Sequence, residues 1–207
     1  MPRIKTKKGT EGEVRGVKST DVNFIWNSWL NSYRSSKATA GLCNDEYFER
    51  WGKVVADIKS RSDVVVLCNP DDEDHLFGWV CGEYVTEGPG DAGIWILHYV
   101  YLKQWCRREG FAEELIRYML QPIPEAAEVG MSHLPPNYKI YLKLKLKFNA
   151  EYDPELVSYG KLCRDFERDD GRGERGSGGK GSVEGGAKED SDDVGGEGGQ
   201  VKRVTIH

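Results

Sequence analysis

The residues best suited to chemistry lie between Ile94 and Leu120 (IWILHYVYLKQWCRREGFAEELIRYML). A long apolar run, read as a strand over Ile94–Lys103, ends in a polar turn carrying Arg107, Arg108, Glu109, Gly110 and Ala112. An amphipathic run follows, with Phe111, Ala112, Leu115, Ile116, Met119 and Leu120 on one helical face, and Pro122 stops it. A strand feeding a glycine-bearing turn at a helix start is a natural anion site. The opening N–H groups have no intrahelical acceptor and sit at the positive end of the dipole. The segment therefore points to a phosphate-bearing ligand and to the place where it binds. Cys106 stands beside two arginines, where a thiol of lowered pKa could act as a nucleophile.

The flanking elements must position that turn. Glu13–Val17 reads as a first strand, and Ser19-Thr20-Asp21 as a helix start. Val22, Ile25, Trp26, Trp29, Leu30 and Tyr33 recur at helical spacing and form a core-facing stripe. A small-residue loop spans 34–43. Asn44 is the expected N-cap of a second helix, whose apolar face is Tyr47, Phe48, Trp51, Val54, Val55 and Ile58. Asp63–Cys68 and His75–Val85 read as strands separated by turn chemistry, with another turn at 87–93. The Ile94–Lys103 run is apolar on both sides, as in a strand covered on both faces. Pro122–Asn137 reads as irregular. Lys139–Phe148 alternates, with Ile140, Leu142, Leu144, Leu146 and Phe148 against Tyr141, Lys143, Lys145 and Lys147, and predicts a half-buried strand. A last helix is expected over Pro154–Phe166. The order β-α-α-β-β-β-α-β-α describes a mixed α/β domain, mostly antiparallel with one strand–helix–strand crossover and helices on both sheet faces.

The chain's 207 residues suffice for one such domain, assigned to 1–168. Residues 169–200 hold 12 glycines, nine acids and four bases, a composition too poor in apolar surface to order itself. This tract carries the chain's negative charge. The remainder is near neutral and has no field for holding bulk nucleic acid. The closing VKRVTIH (201–207) could return as an edge strand. Five cysteines without a CxxC, and four scattered histidines without zinc spacing, predict reduced thiols and no metal. No apolar run approaches 18 residues and no signal-peptide core is present, so a soluble cytoplasmic protein without a membrane partner is expected. The basic PRIKTKKG start is expected to be a frayed, solvated end.

The segment VYLKQWCRREGFAEELI resembles the cofactor motif of the GNAT (GCN5-related) N-acetyltransferases, with Leu102, Arg107, Gly110 and Ala112 in register and Gln104 where the family has proline. The likeness in element order runs over about residues 13–166, with the flavour of members encoded by tailed bacteriophages. The resemblance implies a mixed, mostly antiparallel central sheet and acetyl-CoA as co-substrate. Val100 and Leu102 would meet the pantetheine arm, and Arg107, Arg108, Glu109, Gly110, Phe111 and Ala112 would surround the pyrophosphate. Glu109 is the awkward member, expected to point to solvent. Gly110 would let the main chain approach phosphate, and Ala112 would keep the first helical turn uncrowded.

Transfer to an amine needs a base for the ammonium proton and an acid for the departing thiolate. His98 is the base candidate on the central strand, since that strand carries no carboxylate, and Glu83 on its neighbour is the alternative. Tyr159, in SYGKLC, matches the family's acid-bearing segment, with Tyr152 as its rival. The expected activity is acetyl transfer to an amine of an unidentified acceptor, a protein among the candidates. The acceptor side looks short, which a homodimer would remedy. A reading of another class is a catalytically inactive interaction protein that kept the fold, such as a phage factor binding a host protein. The missing strand carboxylate favours that alternative.

Overall fold

The computed structural model describes residues 2–34, 41–88, 91–133 and 138–161, all within one compact unit. Seven strands form one sheet in sequence order: β1 (Arg3–Lys5), β2 (Glu11–Gly16), β3 (Asp63–Asn69), β4 (Asp72–Val85), β5 (Ile94–Leu102), β6 (Glu128–Met131) and β7 (Glu151–Tyr152). Pairing is antiparallel from β1 through β5, then parallel for β5–β6 and β6–β7. Helices α1 (Val22–Arg34) and α2 (Asn44–Arg61) cover one face, and α3 (Phe111–Leu120) and α4 (Tyr138–Phe148) the other. This is the mixed sheet with helices on both sides that the sequence predicted.

Three expectations change. The basic N-terminus is not frayed: Arg3–Lys5 pairs with Glu11–Glu13 as a hairpin. The irregular stretch 122–137 contains β6, and this strand completes the crossover from β5 through α3.

The predicted strand 139–148 is helix α4. Its alternating sequence suggests period two, yet the residues that reach the core are Tyr141, Leu144 and Phe148, at i, i+3 and i+7. Ile140, Leu142 and Leu146 are left exposed, Leu146 at 85%. Leu and Lys are good helix formers, and two parallel strands need a crossover between them. With β6 and β7 parallel, the chain between them is that crossover. Arg117 of α3 lies over the Phe148 ring at 5.5 Å, and Lys147 pairs with Glu113, which fastens α4 to α3.

Smaller shifts concern helix starts. Cys43, not Asn44, caps α2, its sulfur accepting from the Glu46 N–H at 3.5 Å. At the start of α1, Asp21 is buried and takes a bidentate pair from Arg15 of β2 at 2.6 and 3.1 Å, plus the Lys18 N–H at 2.7 Å. Burial alone would raise the Asp21 pKa. Arg15 outweighs it, and the carboxyl is held below its usual range. Arg15 also donates to the Glu73 carbonyl at 2.9 Å, so one buried pair locks β2, α1 and β4 together. Most of loop 34–43, the glycine-rich tract and residues 201–207 lie outside the described residues.

Candidate active site

Strand β5 pairs with β6 only from Ile94↔Glu128 to Leu97↔Met131, with a last bond from the Ser132 N–H to the Leu97 carbonyl at 3.2 Å. Beyond that point β5 has no strand partner on this side among the described residues, while its other edge stays paired with β4 as far as Leu102↔Gly78. The sheet therefore opens into a wedge between β5 and the end of β6. Lys103 donates its N–H to Phe77 at 2.8 Å on the β4 side. Main-chain groups alternate along a strand, so those of Val100 and Leu102 face the open edge.

At the apex the register slips. Gly82 faces Leu97 but Cys81 faces Tyr99, so His98 is the extra residue of a β-bulge. The bulge inverts side-chain parity: Ile96 and His98 lie on the α1/α2 face, and so do Tyr99 and Tyr101 beyond it. Tyr99 stacks on Trp29 at 5.5 Å and meets Trp79 at 5.5 Å.

His98 is 1% exposed and bonded through both ring nitrogens. Its Nε2 lies 2.9 Å from Glu83 Oε1, and its Nδ1 lies 2.8 Å from Ser132 Oγ. Ser132 Oγ in turn lies 2.7 Å from His133 Nδ1. Behind Glu83, Arg61 at the end of α2 pairs with the same carboxylate oxygen and also donates to the Val157 carbonyl. Gly160 backs onto this carboxylate, where a Cβ would lie 2.5 Å from its atoms. Burial, and then the Arg61 charge, push the His98 pKa down to about 3. Burial, and then His98, do the same for His133. Both imidazoles are neutral at pH 7.

A cavity of about 350 Å³ lies beside the network, lined by Arg50, Trp51 and Val54 of α2, by Ser132 and His133, and by Tyr152, Pro154 and Val157. Tyr33 stacks on Trp51 at 5.3 Å and sets its ring edge-to-face with His133 at 4.9 Å.

At the far end of β5 the chain makes a 3-10 turn over Gln104–Cys106 and enters α3 through two left-handed residues, Arg108 (φ 69°) and Gly110 (φ 106°). Gly110 stands at the N-cap, where a side chain would be strained. Arg107 donates through Nε to the Leu102 carbonyl at 2.9 Å and lies over Tyr101 at 5.9 Å. Arg108 is exposed, whereas Phe111 is buried and anchors the helix. Glu109 does not point to free solvent. Lys8 holds it at 3.1 Å and Thr10 at 3.3 Å, so the N-terminal hairpin docks on the turn. Burial raises the Cys106 pKa, and its thiol donates to the Phe77 carbonyl at 3.5 Å, which removes it as a thiolate nucleophile.

Of the residues singled out from the sequence, the structure joins Glu83 and His98 directly. It lines Val100 and Leu102 along the open edge and gathers Arg107, Arg108, Glu109, Gly110, Phe111 and Ala112 at one helix start. Tyr159 lies elsewhere: its hydroxyl donates to Glu87 in the β4–β5 turn, and its ring packs against Val85, Ile96 and Leu156. Tyr152, its rival, lines the cavity. Sequence reasoning missed Arg61, Ser132 and His133. A serine–histidine pair directly after a short strand was the available signal, but the strand itself was not legible. Among the described residues, no group of three or more His, Cys, Asp or Glu side chains could hold a metal ion.

No family model matches the sequence, and no curated protein does. Solved structures do match in shape. A protein from Pyrococcus furiosus provisionally named an acetyl transferase aligns at TM-score 0.53 and 16% identity, over 66% of this chain and 92% of its own. A GNAT family acetyltransferase from Brucella melitensis in complex with acetyl-CoA aligns at 0.41 and 18% identity, over 63% and 80% of the two chains. The glucosamine-6-phosphate N-acetyltransferase of Arabidopsis thaliana aligns at 0.41 and 11%, over 64% and 88%. The Pyrococcus likeness is one of fold, and the seven-stranded mixed sheet with helices on both faces matches the GNAT acetyltransferase fold.

Proposed function

We propose that the protein is an acetyl-CoA-dependent N-acetyltransferase that modifies an amine of an acceptor still to be identified. The observation that carries this reading is the wedge: a β5 edge, unpaired among the described residues, that runs from a buried histidine network to a left-handed glycine turn. The amide-bearing pantetheine arm needs main-chain partners in an extended array, and Val100 and Leu102 offer them. The pyrophosphate needs converging N–H donors and positive charge, which the turn at Arg107, Arg108, Glu109, Gly110, Phe111 and Ala112 supplies. Glu109 does not oppose the phosphates unscreened, because Lys8 neutralises it. The thioester would then lie at the bulge, next to His98, Glu83 and Ser132.

In this reading the amine attacks the thioester carbonyl, and the proton lost from nitrogen ends on the departing sulfur. His98 and Glu83 are enclosed, so they act through Ser132 and not by touching the acceptor. The cavity position favours Tyr152 over Tyr159 as the acid that meets the thiolate. The chain is assigned as one catalytic domain over 1–168, with 169–200 as an acidic extension and 201–207 as a closing segment.

Isothermal calorimetry with acetyl-CoA and with CoA tests the cofactor claim. Folded protein that binds neither at high micromolar concentration would end it. Arg107→Glu combined with Gly110→Asp should abolish whatever binding is seen. Mass spectrometry of acetylated components after incubation with lysate and acetyl-CoA would then identify the acceptor.

A further inference from the structure

The hydrogen-bond chain on the α1/α2 face has a direction, and it ends on His133, which lines the cavity. Glu83 is ion-paired with Arg61, so it is a carboxylate and can only accept. His98 therefore carries its proton on Nε2, 2.9 Å from Glu83, and presents a bare Nδ1 to Ser132 at 2.8 Å. The one hydroxyl proton of Ser132 is spent on that nitrogen. Its oxygen then has only lone pairs to offer His133 Nδ1 at 2.7 Å, so His133 carries its proton on Nδ1. Each assignment forces the next, and the last leaves His133 Nε2 without a proton. This is the less common tautomer of a free imidazole, and the network selects it. His133 belongs to the cavity lining, on the face that holds His98 and at the apex of the wedge.

We propose that His133 Nε2 is the base that accepts the acceptor's proton, and that Ser132, His98 and Glu83 are positioning residues that hold His133 in the required tautomer. The nitrogen lone pair forms the bond to the thioester carbonyl carbon, the carbon–sulfur bond breaks, and Nε2 takes the proton released from nitrogen. The imidazolium so formed still donates through Nδ1 to Ser132, whose hydroxyl stays bonded to His98 Nδ1 while His98 Nε2–H stays on the Glu83 carboxylate, so the transferred proton remains on Nε2. The proton returns through the cavity to the thiolate, and the net change is amine plus thioester to amide plus thiol. The identity of the reaction rests on the acetyltransferase reading; the tautomer and the unprotonated nitrogen do not.

Two measurements on the full chain test this without substrate. Long-range proton–nitrogen spectra of protein labelled with 15N-histidine, at pH 7, should show His98 as the Nε2–H form and His133 as the Nδ1–H form. Ser132→Ala should return His133 toward the Nε2–H form. Diethyl pyrocarbonate labelling mapped by mass spectrometry should modify His133 and the exposed His75, which serves as the internal control, and should spare His98. A His133 found as Nε2–H or as imidazolium, or left unlabelled while His75 reacts, would overturn the proposal. Acetyl-CoA calorimetry on the same sample reports separately on the cofactor reading: binding with the wrong tautomer sinks only the base, and the right tautomer without binding sinks only the transferase.

Discussion

The two ends of β5 are built from different material. At its C-terminal end the turn into α3 is exposed and presents main-chain N–H groups, with Arg108 and Gly110 held in left-handed conformations. At the bulge, the site consists of side chains: Arg61, Glu83, His98, Ser132 and His133, nearly all removed from water. A site made of backbone depends on conformation and tolerates many side chains around it. A site made of buried, mutually bonded side chains depends on every member, because each leaves its neighbour unsatisfied when lost.

The largest effect is expected at the buried end. Glu83→Gln takes from Arg61, whose side chain is 6% exposed, its enclosed carboxylate and leaves it the half-exposed Asp57 at 3.4 Å. That change should cost about 3–5 kcal/mol, read from urea unfolding. A loss under about 1 kcal/mol would mean that the network is far wetter than its burial indicates.

Next comes pH. Both His98 and His133 are held neutral, with pKa values near 3 against 6.5 for an unfolded histidine. Below pH 6.5 the unfolded chain binds protons that the folded chain refuses. The stability these two contribute is complete above pH 6.5 and drains away as pH falls toward 3. At pH 5 the loss should be about 2 kcal/mol for each histidine. Denaturant titrations at pH 7.5, 6 and 5 measure it, and His133→Gln should remove close to half of the slope.

The glycine turn should respond less in stability and more in binding. A side chain at Gly110 meets only Thr6, at 3.8 Å, so Gly110→Val is opposed by its φ of 106° and not by lack of space. About 1–2 kcal/mol of stability should go, together with at least about a tenfold loss of acetyl-CoA affinity by calorimetry, the equivalent of 1.4 kcal/mol. If unfolding and binding fall in parallel, the contrast between the two ends is wrong.

The smallest effect is expected for Glu109→Gln. It removes a surface contact with Lys8 and Thr10 that should contribute under about 1 kcal/mol. It also frees Lys8 for phosphate, so affinity for acetyl-CoA should hold or rise slightly, and more so at low salt.

The glycine turn was legible because its signal is local. A strand, an arginine pair, a glycine and a helix stripe follow one another within about 25 residues, and each acts on its neighbours in sequence. The α1 and α2 stripes were legible for the same reason, since helical periodicity is a short-range property. The His98 network was only half legible. His98 and Glu83 stood out as titratable groups on predicted strands, but Arg61 and the Ser132–His133 pair come from two separate places that only the fold brings to them. β6 was hidden because its pairing is parallel and lies across a helix, with four residues too few to show a pattern. Helix α4 was misread because its leucine–lysine alternation satisfies a strand pattern. Its position between two parallel strands, together with the helix propensity of leucine and lysine, made it a crossover helix.

By itself, then, the sequence determined the helix stripes, the central strand and the glycine turn, because those depend on nearest neighbours along the chain. The tertiary structure decided the bulge, the open β5 edge, the strand order and the direction of the proton network. Those are set by register and by contacts between residues as far apart as Arg61 and Val157, which no local pattern encodes.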